Sequence, residues 1–184
     1  MIGVAPLGPL YNMKKILQLA GLVFLVAACS PRGSESRQPK PNPVEFDTVV
    51  LRRTACYGQC PVYTVEISAT GQVKYTGEEF VSVKGVRHGS VPQANVELLA
   101  AALRHVKFAQ MNEKYQFETD GCVDMPTDLP SLSISVIKSG KTHNVSFYTG
   151  CHGPTVPTEE LEWLSNTIDF MARTDPWIYR RPWQ

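Results

Sequence analysis

The chain has 184 residues, 43% of them hydrophobic and 19% charged, with a formal net charge of +1. That length holds one ordinary domain with appendages and excludes two full-sized ones. The apolar content excludes a disordered chain, 14 Pro and 13 Gly exclude a low-complexity one, and near-neutral charge argues against nucleic acid as a partner.

Met1 to Asn12 carries neither charge nor pattern, and translation from Met13 gives a more usual start. Lys14-Lys15 then precedes the apolar run Ile16 to Ala28. A basic start, a short apolar stretch and small residues at its end predict a secretory signal over residues 1–28. As a helix that run rises only about 20 Å, short of the roughly 30 Å hydrocarbon core, which disfavours a spanning segment. Val26-Ala27-Ala28-Cys29 resembles the lipobox of bacterial lipoproteins. The resemblance implies cleavage before Cys29 and lipid attachment to its thiol, hence a membrane anchor, and it accounts for one of an odd five cysteines. Ser30 follows in place of the Asp that favours inner-membrane retention, so the expected address is the outer membrane, facing the periplasm. Without residues 1–28 the chain keeps 16 basic against 17 acidic residues.

Residues 29–45 form a tether. Pro31, Pro39, Pro41 and Pro43 stand among polar residues with no apolar period. At about 3 Å per residue in polyproline form, the stretch Ser30 to Pro43 reaches up to roughly 40 Å.

A single domain is expected over residues 46–184. Asp47 to Arg53, with Val49 and Leu51 inward, predicts a strand. Tyr63, Val65 and Ile67 alternate with Thr64, Glu66 and Ser68, and Val73 and Tyr75 alternate with Lys74 and Thr76. A three-residue loop Ala69-Thr70-Gly71 sets Ile67 against Val73 and Glu66 against Lys74; a two-residue loop would set Ile67 against a lysine. A like turn at Gly77-Glu78-Glu79 would bring Val81 to Tyr75 and Val83 to Val73, completing a meander. Pro92 to Val106 predicts a helix with Val96, Leu99, Ala100 and Leu103 inward, capped by Ser90 or Val91. Ser139-Gly140 closes a second hairpin pairing Leu132 with Phe147, Ile134 with Val145 and Val136 with His143. Pro157 to Thr174 predicts a second helix, with Glu159 and Glu160 near its positive end. In the tail, Trp177 and Ile178 are expected on the core. One polar face per strand and one apolar stripe per helix imply an α+β fold: an antiparallel sheet, meander plus hairpin, with two helices packed on one face.

Thr54-Ala55-Cys56-Tyr57-Gly58-Gln59-Cys60-Pro61-Val62-Tyr63 opens a pattern. It continues through Gly71 to Gly77, Thr127 to Ser131, Tyr148-Thr149-Gly150-Cys151 and the helix leading to Trp177-Ile178. Together these resemble the bacterial domain-of-unknown-function family 6438, over about Phe46 to Ile178. The resemblance implies an envelope lipoprotein and brings no catalytic residues.

Cys56, Cys60, Cys122 and Cys151 remain once Cys29 is lipidated. An even number in an oxidising compartment reads as two disulfides, with three connectivities open. Extending the second hairpin places Cys151 near Asp128, within reach of Cys122, which leaves Cys56–Cys60 closing around Gly58. The competing reading is chemical. Cys56-x-x-x-Cys60-Pro61 resembles the copper loop of oxidase-assembly copper chaperones, with His152 or His143 as third ligand, although here the loop leads into a strand and not a helix. A thioredoxin-type Cys-x-x-Cys is absent.

No nucleophile elbow, phosphate loop or zinc-protease helix motif occurs. Cys151-His152 are sequence neighbours that point apart on extended chain, and Asp120, Asp124 and Asp128 lie off calcium-loop spacing, on a solvated turn. The sequence therefore predicts a non-catalytic, disulfide-stapled binding or structural module with no cofactor. A copper- or thiol-handling protein and an envelope enzyme inhibitor presenting a hairpin loop are the alternatives.

Overall fold

The computed structural model describes residues 43–179. The predicted signal, the lipid-bearing Cys29, the tether up to Asn42 and the tail beyond Tyr179 lie outside those residues.

Alternation builds the sheet. Strands β1 (Thr48–Arg53), β2 (Val62–Ser68), β3 (Gln72–Glu79), β4 (Gly85–Ser90), β5 (Lys114–Tyr115), β6 (Ser131–Lys138) and β7 (Lys141–Tyr148) form one sheet in the order β4-β3-β2-β1-β6-β7-β5. All pairings are antiparallel except β5 with β7. Val49, Leu51, Tyr63, Val65, Ile67, Val73, Tyr75, Leu132, Ile134, Val145 and Phe147 are buried on one face. Thr64, Glu66, Lys74, Ser133, Ser135 and Asn144 occupy the other, where Lys74 meets Glu66 at 2.7 Å. The helices α1 (Gln93–His105) and α2 (Thr158–Ala172) close the apolar face, with Val96, Leu99, Leu161, Leu164 and Ile168 buried. This is the expected α+β fold with both helices on one face.

Both hairpin registers match the sequence reading. Ile67 faces Val73 and Val65 faces Tyr75, with Gly71 at φ 78°. Leu132 faces Phe147 and Val136 faces His143 across Ser139-Gly140, both residues at positive φ. The helix bounds shrink by one or two residues, and α1 begins after Pro92 without a side-chain cap, so Ser90 and Val91 do not serve as one.

The expected turn at Gly77 does not occur. Strand β3 runs on to Glu79, and β4 sets Arg87 opposite Tyr75 and Gly89 opposite Val73, in place of Val81 and Val83. The cause is non-local: the backbones of Ser82 and Val83 donate to Ile178 and Trp177 at 3.1 and 2.9 Å, holding residues 80–84 on the C-terminal segment. Gly77 is a glycine because Val83 O approaches it closely, leaving no room for a Cβ. Trp177 stacks on Tyr75 with ring centroids 5.4 Å apart and lies over Gly89, so the tail docks as expected and covers what β4 has no side chains to cover. Ile178, at the end of the short helix α3 (Asp175–Ile178), is buried.

The sheet has two distinct ends. At one lie the chain's entry at Pro43–Asp47 and the β6–β7 turn, since Thr48 pairs with Ile137. At the other, where Arg53 pairs with Tyr63 and Leu132, lie the loops 54–61, 116–130 and 149–157.

Candidate functional site

All four domain cysteines sit at that second end. Cys56 is bonded to Cys60 and Cys122 to Cys151, the connectivity that the hairpin register favoured. The register itself slips beyond the strands: His152, not Cys151, bridges back to the 120s loop, and its partner is Asp124. Cys122 and Cys151 are buried, whereas Cys56 and Cys60 are partly exposed.

Backbone bonds knit the three loops together. Tyr57 N donates to Asp128 O at 3.1 Å, Thr54 N to Ser131 O at 2.9 Å, and Thr149 N to Pro130 O at 3.1 Å. Tyr148 Oη donates to Pro126 O at 2.5 Å. Asp120 accepts from the backbones of Gln116 and Phe117, so this acidic residue fastens its own turn. On this knitted frame stand Tyr57, Val123, Phe117 and Leu129, with 89%, 77%, 61% and 42% of their surface exposed. The segment 116–130 holds Glu118, Asp120, Asp124 and Asp128 and no lysine or arginine. The pole is thus a stapled surface, apolar and acidic at once.

Behind it lies a cluster that sequence reasoning missed. Arg53 and Tyr63 both point to the core face and face each other across β1 and β2. Asp169 comes down from α2 to meet them, on the same stripe as Leu161, Leu164 and Ile168. Its Oδ2 accepts from Arg53 Nε at 3.1 Å, Arg53 Nη2 at 3.0 Å and Tyr63 Oη at 2.8 Å; its Oδ1 accepts from Thr174 at 3.3 Å. Arg53 Nη2 also reaches Ser165 and Asn166. Burial pushes the Asp169 carboxyl upward, and Arg53 pulls it back without cancelling the rise. Burial works against the Arg53 charge, yet Asp169 holds its pKa above the ordinary value. Burial, reinforced by Asp169, also drives Tyr63 well up, and Tyr75 is pushed up to about 12 by burial first and Asp169 second. With donors on both oxygens, Asp169 works as a clamp of α2 on the sheet. The signal was available: an aspartate inside a helical apolar stripe and an arginine on a strand's apolar face are both polar residues at core positions.

A cleft of about 340 Å³ opens beside this clamp, walled by Cys60, Pro61, Pro130, Asn166, Phe170 and Tyr179.

The histidines are not gathered with the thiols. His152 is exposed beside the Cys122–Cys151 bond, and His143 lies toward the opposite end of the sheet on β7. With Cys56 and Cys60 joined to each other, no group of three or more His, Cys, Asp or Glu is arranged to hold a metal among the described residues.

The fold and this end of it define a class: an open seven-stranded α+β domain whose terminal loops are tied by two disulfides. A family model, the domain of unknown function DUF6438, matches residues 47–172. The chain belongs to that family. No curated protein matches it.

Proposed function

We propose that the chain is a non-catalytic binding module of the bacterial cell envelope, held on the periplasmic side of the outer membrane by lipid on Cys29. The observation that carries this reading is the stapled pole. Two disulfides and a set of backbone bonds hold apolar side chains out in water, where folding alone gains nothing from them. Pre-ordered loops lower the entropy cost of association, and exposed aromatic anchors are the side chains that dominate interfaces. The acidic segment 116–130 selects a partner by charge: a protein with an apolar surface rimmed by lysine or arginine.

The test is capture by the full mature protein from envelope extract, beside a Tyr57→Ser/Phe117→Ser variant and a Leu98→Ser control on the exposed side of α1. One basic protein retained by wild type and control, lost with the pole variant and released by added salt, supports the proposal. Equal capture by all three overturns it.

The copper- or thiol-handling alternative rests on the partial exposure of the Cys56–Cys60 bond. Thiol counting on protein from the envelope separates the readings: free Cys56 and Cys60 that take up Cu(I) favour the alternative, and four oxidised cysteines sink it.

A further inference from the structure

The two disulfides of the pole differ in what they hold. Cys122 and Cys151 are 2% and 0% exposed and belong to the core. Cys56 and Cys60 are partly exposed and close over Tyr57-Gly58-Gln59, three exposed residues that add nothing to that core. From Ala55 to Pro61, the one hydrogen bond to the rest of the described residues is Tyr57 N to Asp128 O at 3.1 Å. Little besides that bond and the disulfide holds Tyr57 in place.

Opening Cys56–Cys60 therefore frees one loop and leaves the core closed. A thiolate must reach one sulfur to displace the other, an approach that burial denies to Cys122–Cys151 and that partial exposure leaves open at Cys56–Cys60. The freed loop carries the most exposed aromatic side chain of the pole, and through Asp128 O it is tied to the acidic segment 116–130. The remainder of that segment keeps its own ties, in Cys122–Cys151 and in the bond from Tyr148 Oη to Pro126 O.

We propose that Cys56–Cys60 is a thiol–disulfide exchange site for a dithiol protein, and that its state switches the Tyr57 part of the pole between ordered and loose. This rests on the binding-module reading: the oxidised chain is the binding form. One thiolate of the dithiol attacks a sulfur of Cys56 or Cys60, the bond between them breaks, a mixed disulfide forms and the departing thiolate takes a proton. The second thiol of the dithiol, losing its proton, then displaces the attached sulfur. Two electrons and two protons have passed to the loop, and the dithiol leaves as a disulfide. In the reduced loop Tyr57 must be ordered anew at each encounter, so association costs more entropy. By reciprocity a bound partner protects the disulfide by the same factor.

The probe is a reduced Cys-x-x-Cys protein of thioredoxin type, added to the full mature protein without denaturant. Its Cys-x-x-Ser variant, which cannot complete the second step, should be trapped on Cys56 or Cys60 and on neither Cys122 nor Cys151. After exchange with the complete dithiol, the Tyr57 amide should exchange its hydrogen at least about tenfold faster, with the amides of Leu51 and Val65 unchanged, and the oxidised probe should restore the slow rate. Cys56→Ser/Cys60→Ser should show the fast Tyr57 rate from the outset and ignore the dithiol. In the envelope capture described above, this variant should retain about fivefold less of the partner than the oxidised wild type. Absence of an adduct on folded protein, or a Tyr57 amide unmoved by reduction, overturns the proposal. Equal capture by wild type and the double serine variant overturns the switch and leaves the binding module standing, whereas absence of capture by wild type overturns both.

Discussion

Tyr63, Tyr75 and Asp169 show how one charged position inside an apolar stripe reaches its neighbours. Asp169 raises both phenols on top of what burial does. The sign of the consequence follows from linkage. Both folded values stand above the unfolded tyrosine value of about 10, so the folded chain holds protons that the unfolded chain has released. The stabilisation is complete below about pH 10 and drains away as pH rises, for Tyr75 through about 12 and for Tyr63 at still higher pH. Denaturant midpoints measured from about pH 9 upward should therefore fall with a slope that is smaller in Tyr63→Phe, which has no phenol there to ionise. In parallel, phenolate absorbance of the native mature protein should leave at least two of the six tyrosines that follow residue 28 silent through about pH 10.5. If all six titrate near pH 10 in a protein still folded, the buried cluster is not formed in solution.

Among the elements, the disulfides divide by burial and by the length of chain they close. Cys122–Cys151 spans 29 residues beneath buried side chains, and Cys56–Cys60 spans four near the surface. On the loop-entropy account the first is worth about 3.6 kcal/mol and the second about 1.9 kcal/mol. Replacing each pair by alanine should lower unfolding free energy by about those amounts, with the larger loss at Cys122/Cys151. A mild thiol acting on native protein should release two thiols, mapped to Cys56 and Cys60, before the other pair opens with unfolding. Release of all four together would contradict the burial pattern. The sequence showed these pairs because the hairpin register, a local property, brings Cys151 back toward Cys122. What it could show ended where locality ended. Strand β4 has no alternating pattern, since Trp177 from the far end of the chain covers Gly89 in place of its side chains. Strand β5 is two residues long, and its parallel partner β7 is distant in sequence. The insertion of β1 between β2 and β6 joins two hairpins that are individually legible, but no local pattern states that neighbourhood. At the site, the cysteines were legible, whereas the exposed aromatics were not, because a sequence does not say which apolar residues a fold leaves outside.

At the scale of the whole domain, one core joins the sheet and helices of the described residues, and the two ends of the sheet differ in what they carry. The chain enters at the end opposite the pole: Arg104 holds Pro43 O, and Val44 packs against the core, so the last residues of the predicted tether already belong to the domain. Among the described residues no helix is long and apolar enough to cross a membrane. On the proposed reading, membrane residence then rests on the lipid at Cys29. A single acyl chain binds only marginally, whereas diacylglycerol on the thiol and a further acyl group on the new amine anchor stably. Cys29→Ser should accordingly move the protein from the membrane fraction to the soluble fraction while leaving its thermal midpoint within about 1 °C, because the core of the described residues is built from Val44 onward. Measuring both quantities separates the causes of a change. Loss from the membrane with an unchanged midpoint assigns the anchor to Cys29, and a protein that stays in the membrane fraction after the substitution places the attachment elsewhere.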